Sequence, residues 1–139
     1  MNTVNGFILR LLLTASATSG LAKTFHWKAN TTGDWFTETN WTNEDGWPSD
    51  GDIAMVTNVG SSVILSNSTG RLAALSLGGD GTGQRILTFT NWTTCLRAAH
   101  IDVLKSGTIT CAGPFTNAPA MSNRVWIACS NLSVQAGGS

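Results

Sequence analysis

Leu75-Ser76-Leu77-Gly78-Gly79, Ile101-Asp102-Val103-Leu104-Lys105-Ser106-Gly107 and Leu132-Ser133-Val134-Gln135-Ala136-Gly137-Gly138 share an apolar–polar–apolar triplet followed by glycine. Their starts, at 75, 101 and 132, lie 26 and 31 residues apart, within the roughly 20–50 residue period of stacked arrays. Strand alternation puts Leu75, Leu77, Ile101, Val103, Leu132 and Val134 on one inward face and Ser76, Asp102 and Ser133 outward. In stacked coils each strand pairs with its equivalent one turn later, and glycine permits the corner where φ is positive. The fold expected is therefore all-β, the start of a right-handed parallel β-helix, or β-solenoid. The alternative is an antiparallel β-sandwich or jelly roll, whose strands resemble one another because strands generally do.

The surrounding text has the same grain. Val63-Ile64-Leu65, Leu72 to Leu77, Ile86 to Thr90, Ile109-Thr110-Cys111 and Val125 to Cys129 are short apolar runs divided by Gly, Asn and Ser. No stretch after Ala22 holds the 3.6-residue apolar period of a helix. Ser139 follows Gly137-Gly138, the turn of an unfinished coil with no polar cap, so the chain is expected to be the N-terminal piece of a longer protein.

Composition narrows the function classes. The net charge is zero and charged residues make up 12% of the 139, against about a quarter in ordinary soluble domains. No two of the eight Lys and Arg are adjacent, which argues against phosphate neutralisation and hence against nucleic acid as a partner. Cys95, Cys111 and Cys129 are odd in number and lack zinc-site spacing, so they read as small core residues. A Cys111–Cys129 bridge between neighbouring turns is the alternative. No cofactor is implied.

Residues 1–22 read as a signal peptide. Phe7 to Leu13 is apolar apart from Arg10, too short a run to cross a bilayer, and Ala15-Ser16-Ala17 and Gly20-Leu21-Ala22 offer cleavage sites. The absence of Lys or Arg before Phe7 leaves a buried or amphipathic N-terminal helix as the alternative. Export predicts a secreted or cell-surface location, with no membrane span beyond the leader. Sequons at Asn30, Asn40, Asn67, Asn91 and Asn131 arise readily in a chain this rich in Asn, Ser and Thr.

Between the leader and the strands, residues 23–60 carry Trp27, Trp35, Trp41 and Trp47, four of the six tryptophans, and six of the eight acidic residues. The order is Trp27, Gly33-Asp34-Trp35, Asn40-Trp41, Gly46-Trp47-Pro48, then Gly51-Asp52-Ile53-Ala54. This segment resembles the start of large secreted bacterial β-helix proteins, including those with autotransporter-associated β-strand repeats and their PEP-CTERM-type relatives. Met121 to Ile127 and Asn131 to Ser139 are similar to a rung of such proteins, so the resemblance spans roughly residues 25–139. It implies an architecture and no particular activity.

Trp27, Trp35 and Trp41 read as a structural cap over the open first coil, leaving residues 61–139 as the coils. Trp47, between Gly46 and Pro48 in an acidic loop, is the candidate sugar-stacking residue, with Asp45, Asn43 and Asp50 beside it to bind hydroxyls. A polysaccharide or cell-surface glycan is then the partner. Asp45, Asp50 and Asp52 match no calcium-loop spacing, so no metal site is assigned. No catalytic residues are assigned either. Asp80 and Asp102 are the only acids of the strand region, and His100 with Asp102, two apart, reads first as a solvated strand face. The function expected is an exported structural or adhesive segment of a bacterial surface or extracellular protein. The alternatives are a carbohydrate-binding module and the N-terminal part of a β-helix polysaccharide-degrading enzyme.

Overall fold

The computed structural model describes residues 20–43, 45–113 and 123–139. The apolar run Phe7 to Leu13 and the Ala15-Ser16-Ala17 site lie outside them. Among the described residues seven strands are present: β1 (Thr24–His26), β2 (Thr32–Asp34), β3 (Ile53–Val56), β4 (Ser61–Leu65), β5 (Arg71–Phe89), β6 (Leu96–Cys111) and β7 (Ile127–Val134). The only helical element among the described residues is a 3-10 turn at Glu38–Asn40. Among the described residues no helix is long and apolar enough to cross a membrane.

All seven strands form one sheet, and every strand pairing among the described residues is parallel. An antiparallel sandwich or jelly roll is thus not the arrangement found. The single antiparallel contact among the described residues is an isolated bridge between Trp27 and Trp41. β5 and β6 are long enough to belong to two faces. Their first halves continue the path β1–β3–β5–β6–β7, and on the second face the second half of β6 pairs with that of β5, which pairs with β4, which pairs with β2. The sheet therefore curls, and its concave side holds the core.

The register follows the sequence triplets residue for residue. Leu75 pairs with Ile101 and Ile101 with Leu132, while Leu77 pairs with Val103 and Val103 with Val134. The column extends backwards, with Phe25 on Ala54 and Ala54 on Leu75. On the second face Val63, Leu87 and Ile109 align, as do Leu65, Phe89 and Cys111. A parallel sheet covered on both faces carries continuous apolar runs. Here the strands alternate, as in the buried–intermediate–buried pattern of β4, because only the concave face is packed.

The corners show why glycine sits where it does. Gly78 has φ +109°, open to glycine and strained for any other residue. A Cβ on Gly107 would lie 2.3 Å from the Leu77 carbonyl oxygen and 3.1 Å from the Gly78 Cα. The corner of β5 thus packs directly on that of β6. Arg85, a scattered base in the sequence, is buried at this bend. Its guanidinium donates to the carbonyls of Thr57 (3.0 Å), Thr82 and Gly83 (3.2 Å) and to Ser106 Oγ (3.0 Å).

The cysteines are all free, so the Cys111–Cys129 bridge does not form. The two stand on different faces: Cys111 pairs with Phe89 on the second, whereas Cys129 pairs with Ala98 on the first. Eighteen residues of separation do not bring them to adjacent positions. Of the three, Cys95 alone is fully buried.

Candidate functional site

The tryptophan segment builds the first end of the sheet. Trp27, Trp35 and Trp41 are completely buried and belong to the same core as the strand columns. Trp41 is the hub, edge-on to Trp27 (centroids 5.0 Å apart, 88°), Trp35 (4.9 Å, 76°) and Phe25 (6.2 Å, 83°). These are the perpendicular geometries aromatic quadrupoles prefer. Trp41 Nε1 donates to the Trp35 carbonyl at 2.8 Å and Trp27 Nε1 to the Thr31 carbonyl at 3.0 Å. Trp35 Nε1 has no partner among the described residues.

The polar residues between the indoles set their spacing. Asp34 Oδ1 accepts the Phe36 N–H at 2.8 Å, turning the chain straight after Trp35. Asn40 Nδ2 then donates to the Asp34 carbonyl at 2.9 Å, passing so close to Gly33 that a Cβ there would clash at 2.4 Å. Lys28 N–H to the Asn40 carbonyl and Thr42 N–H to the His26 carbonyl, both 2.9 Å, complete the bridge that seats Trp41 beside Trp27.

The loop from Pro48 to Asp52 is closed on itself. Gly51 turns with φ +83°, and Asp52 Oδ2 accepts both the N–H and the hydroxyl of Ser49 at 2.9 Å. Asp52 Oδ1 accepts the Lys23 main-chain N–H at 3.0 Å, and the Asp52 carbonyl accepts Ala73 N–H at 2.8 Å. Burial alone pushes the Asp52 carboxyl up. The Ser49 and Lys23 N–H donors, the Ser49 hydroxyl and the Lys23 charge outweigh that and hold it below the ordinary carboxylate value.

A cleft of about 290 Å³ opens beside this loop, lined by Leu21, Lys23, Asp45, Trp47, Asp50 and Asp52 among others. Three of the residues expected to contact sugar meet here: Trp47, Asp45 and Asp50. Trp47 remains 43% exposed, its ring edge-on to Phe36 at 5.8 Å. Asp45 pairs with the Lys23 ammonium, whose pKa that contact raises. Asp50 Oδ1 accepts Arg71 N–H at 2.5 Å. Asn43 is not part of the lining; it is exposed and donates to the Thr24 carbonyl at 2.8 Å. Each carboxylate is committed to a protein donor. No group of three His, Cys, Asp or Glu able to hold a metal occurs among the described residues.

His100 and Asp102 share the outer face without bonding each other. His100 Nδ1 lies 3.2 Å from Asn131 Nδ2, and Asp102 sits in register between Ser76 and Ser133. A second aromatic patch, unforeseen from sequence, joins the turn between β5 and β6 to the segment before β7. The Arg124 guanidinium carbon lies 4.4 Å from the ring centroids of both Trp92 and Trp126, two half-exposed indoles. Only their 34-residue separation in the chain concealed it. A second groove of about 280 Å³ lies along Arg71, Arg97, Ala98, Ala128, Cys129 and Ser130. Comparison with protein-family models, curated proteins and solved structures finds no match to this chain.

Proposed function

We propose that the chain is an exported structural or adhesive segment of a bacterial surface or extracellular protein. In this reading it is the start of a β-solenoid, a right-handed parallel β-helix, whose first coil is closed by the tryptophan cap of residues 23–60. The observation that carries the reading is the register, in which equivalent residues 21 to 31 positions apart stack in parallel through β1, β3, β5, β6 and β7. A stack of that kind extends by adding coils, and it needs a closed end. The three buried indoles lie beside the strands β1 and β2, each of which pairs on one side only among the described residues.

Expression with the native leader and a C-terminal tag, followed by fractionation and protease shaving of intact cells, tests the location. Tag on the cell surface or in the medium supports the reading; full-length protein confined to the cytoplasm overturns it. Adhesion of beads coated with the purified chain to glycan-bearing surfaces tests the role.

A sugar contact at the Trp47 cleft is a second reading, favoured by one observation: an exposed indole stands at a cleft rim beside two carboxylates. Glycan-array binding that is lost in Trp47→Ala, with thermal unfolding unchanged, supports it. Binding that survives the substitution removes the site.

A further inference from the structure

Lys23 is tied into the sheet through its main chain. The Lys23 carbonyl accepts Ile53 N–H at 2.8 Å, its N–H is held by Asp52, and β1 starts at the next residue. Gly20, Leu21 and Ala22 are exposed, Leu21 to 95%. Together they make the small–large–small sequence that precedes a leader-peptidase cut. Asp52, by contrast, is 8% exposed, with its carboxylate aimed at the Lys23 nitrogen.

We propose that the chain is processed at the Ala22–Lys23 peptide bond, and that the α-ammonium released on Lys23 forms an ion pair with Asp52 that fastens the first strand. This rests on the reading of the chain as exported. The step is a hydrolysis: water adds to the Ala22 carbonyl, the C–N bond breaks, and Ala22 leaves as a carboxylate. The Lys23 nitrogen keeps its hydrogen and gains the protons of an ammonium, since an α-amino group titrates near pH ~8. The nitrogen that now offers Asp52 one neutral N–H then offers it a full charge at the same 3.0 Å position. A cut at Ala17 would instead leave a neutral amide at Lys23 and five residues trailing from it. Cutting at Ala22 also removes Gly20 and Leu21 from the cleft that holds Trp47, Asp45 and Asp50, so processing would open it.

Two measurements test the proposal. The first is intact mass and N-terminal sequencing of protein recovered from the periplasm or medium of a Gram-negative host expressing the full chain. Lys23 as the first residue is expected. Exported protein beginning elsewhere overturns the site while leaving the export reading standing; uncut cytoplasmic protein overturns both. The second compares denaturant unfolding of the chain starting at Lys23 with one retaining Gly20-Leu21-Ala22, each with Asp52 intact and with Asp52→Asn. The processed chain is expected to show at least about a tenfold higher folded-to-unfolded ratio, a gain that disappears in the Asp52→Asn pair. Equal stability in the pair that keeps Asp52 overturns the ion pair. If the Asp52→Asn chains do not fold, the pair that keeps Asp52 decides alone.

Discussion

At the scale of single residues the tryptophans divide by what their indole nitrogens do. Trp41 touches three rings and donates to Trp35, so Trp41→Ala is expected to destabilise by about 3–5 kcal/mol, the range for emptying a large aromatic site. Trp35 is equally buried, but its N–H has no partner among the described residues. Replacing Trp35 by Phe removes an unsatisfied donor, whereas Trp41→Phe breaks a bond and leaves the Trp35 carbonyl short of it. Trp35→Phe should therefore cost less than Trp41→Phe in urea unfolding; the reverse order would refute this account. Asp52 makes the second case. Its folded pKa is depressed, so its stabilisation is present above the unfolded value near pH ~3.9 and fades as pH falls through the folded value. Asp52→Asn should cost about 1–3 kcal/mol at pH 7, and the gap to wild type should close in unfolding curves below about pH 4. Its position after Pro48-Ser49-Asp50-Gly51 marks a turn, but its tie to Lys23 spans 29 residues, and no local pattern carries such a contact.

At the scale of elements, the strands were legible because their period was. Side chains that stack across parallel ladders on a packed face share its polarity, so pairing left its mark in the three triplets. The corner was only half legible. Glycines after the triplets signalled a bend, but nothing signalled that Arg85 would be buried there on carbonyls from three residues. Nor did they suggest that β5 and β6 would run through the bend as single strands. Asp80 belongs to the same bend. Its bonds from the Thr82 hydroxyl and N–H, with Arg85 nearby, hold its carboxyl below the ordinary value. Contact between corners gives a sharp expectation. Gly107→Ala drives a methyl into the Leu77 carbonyl, and backbone cannot swing aside as a side chain can. A loss of about 2 kcal/mol or more is expected from thermal or denaturant unfolding. A neutral result would mean that the two corners do not approach as described.

At the scale of the whole molecule the two ends of the sheet differ. At one end, residues 25–41 fold three indoles and Phe25 into the core. At the other, β7 pairs only with β6 among the described residues, and the apolar columns run out onto it, leaving Leu132 52% and Val134 55% exposed. An edge strand with free N–H and C=O groups and uncovered apolar side chains is a template for another strand. A net charge of zero adds no long-range repulsion against such pairing. The purified chain is therefore expected to self-associate with rising concentration, measurable as a growing weight-average mass in sedimentation velocity. Natural sheets guard such edges with lysine. The double substitution Leu132→Lys, Val134→Lys should hence hold the chain monomeric, with little loss of stability, because both side chains are already half in water. A wild-type chain that stays monomeric at the highest concentration reached would show the edge to be protected. Association that persists in the double variant would move the interface elsewhere, with the half-exposed Trp92–Arg124–Trp126 patch the next surface to substitute.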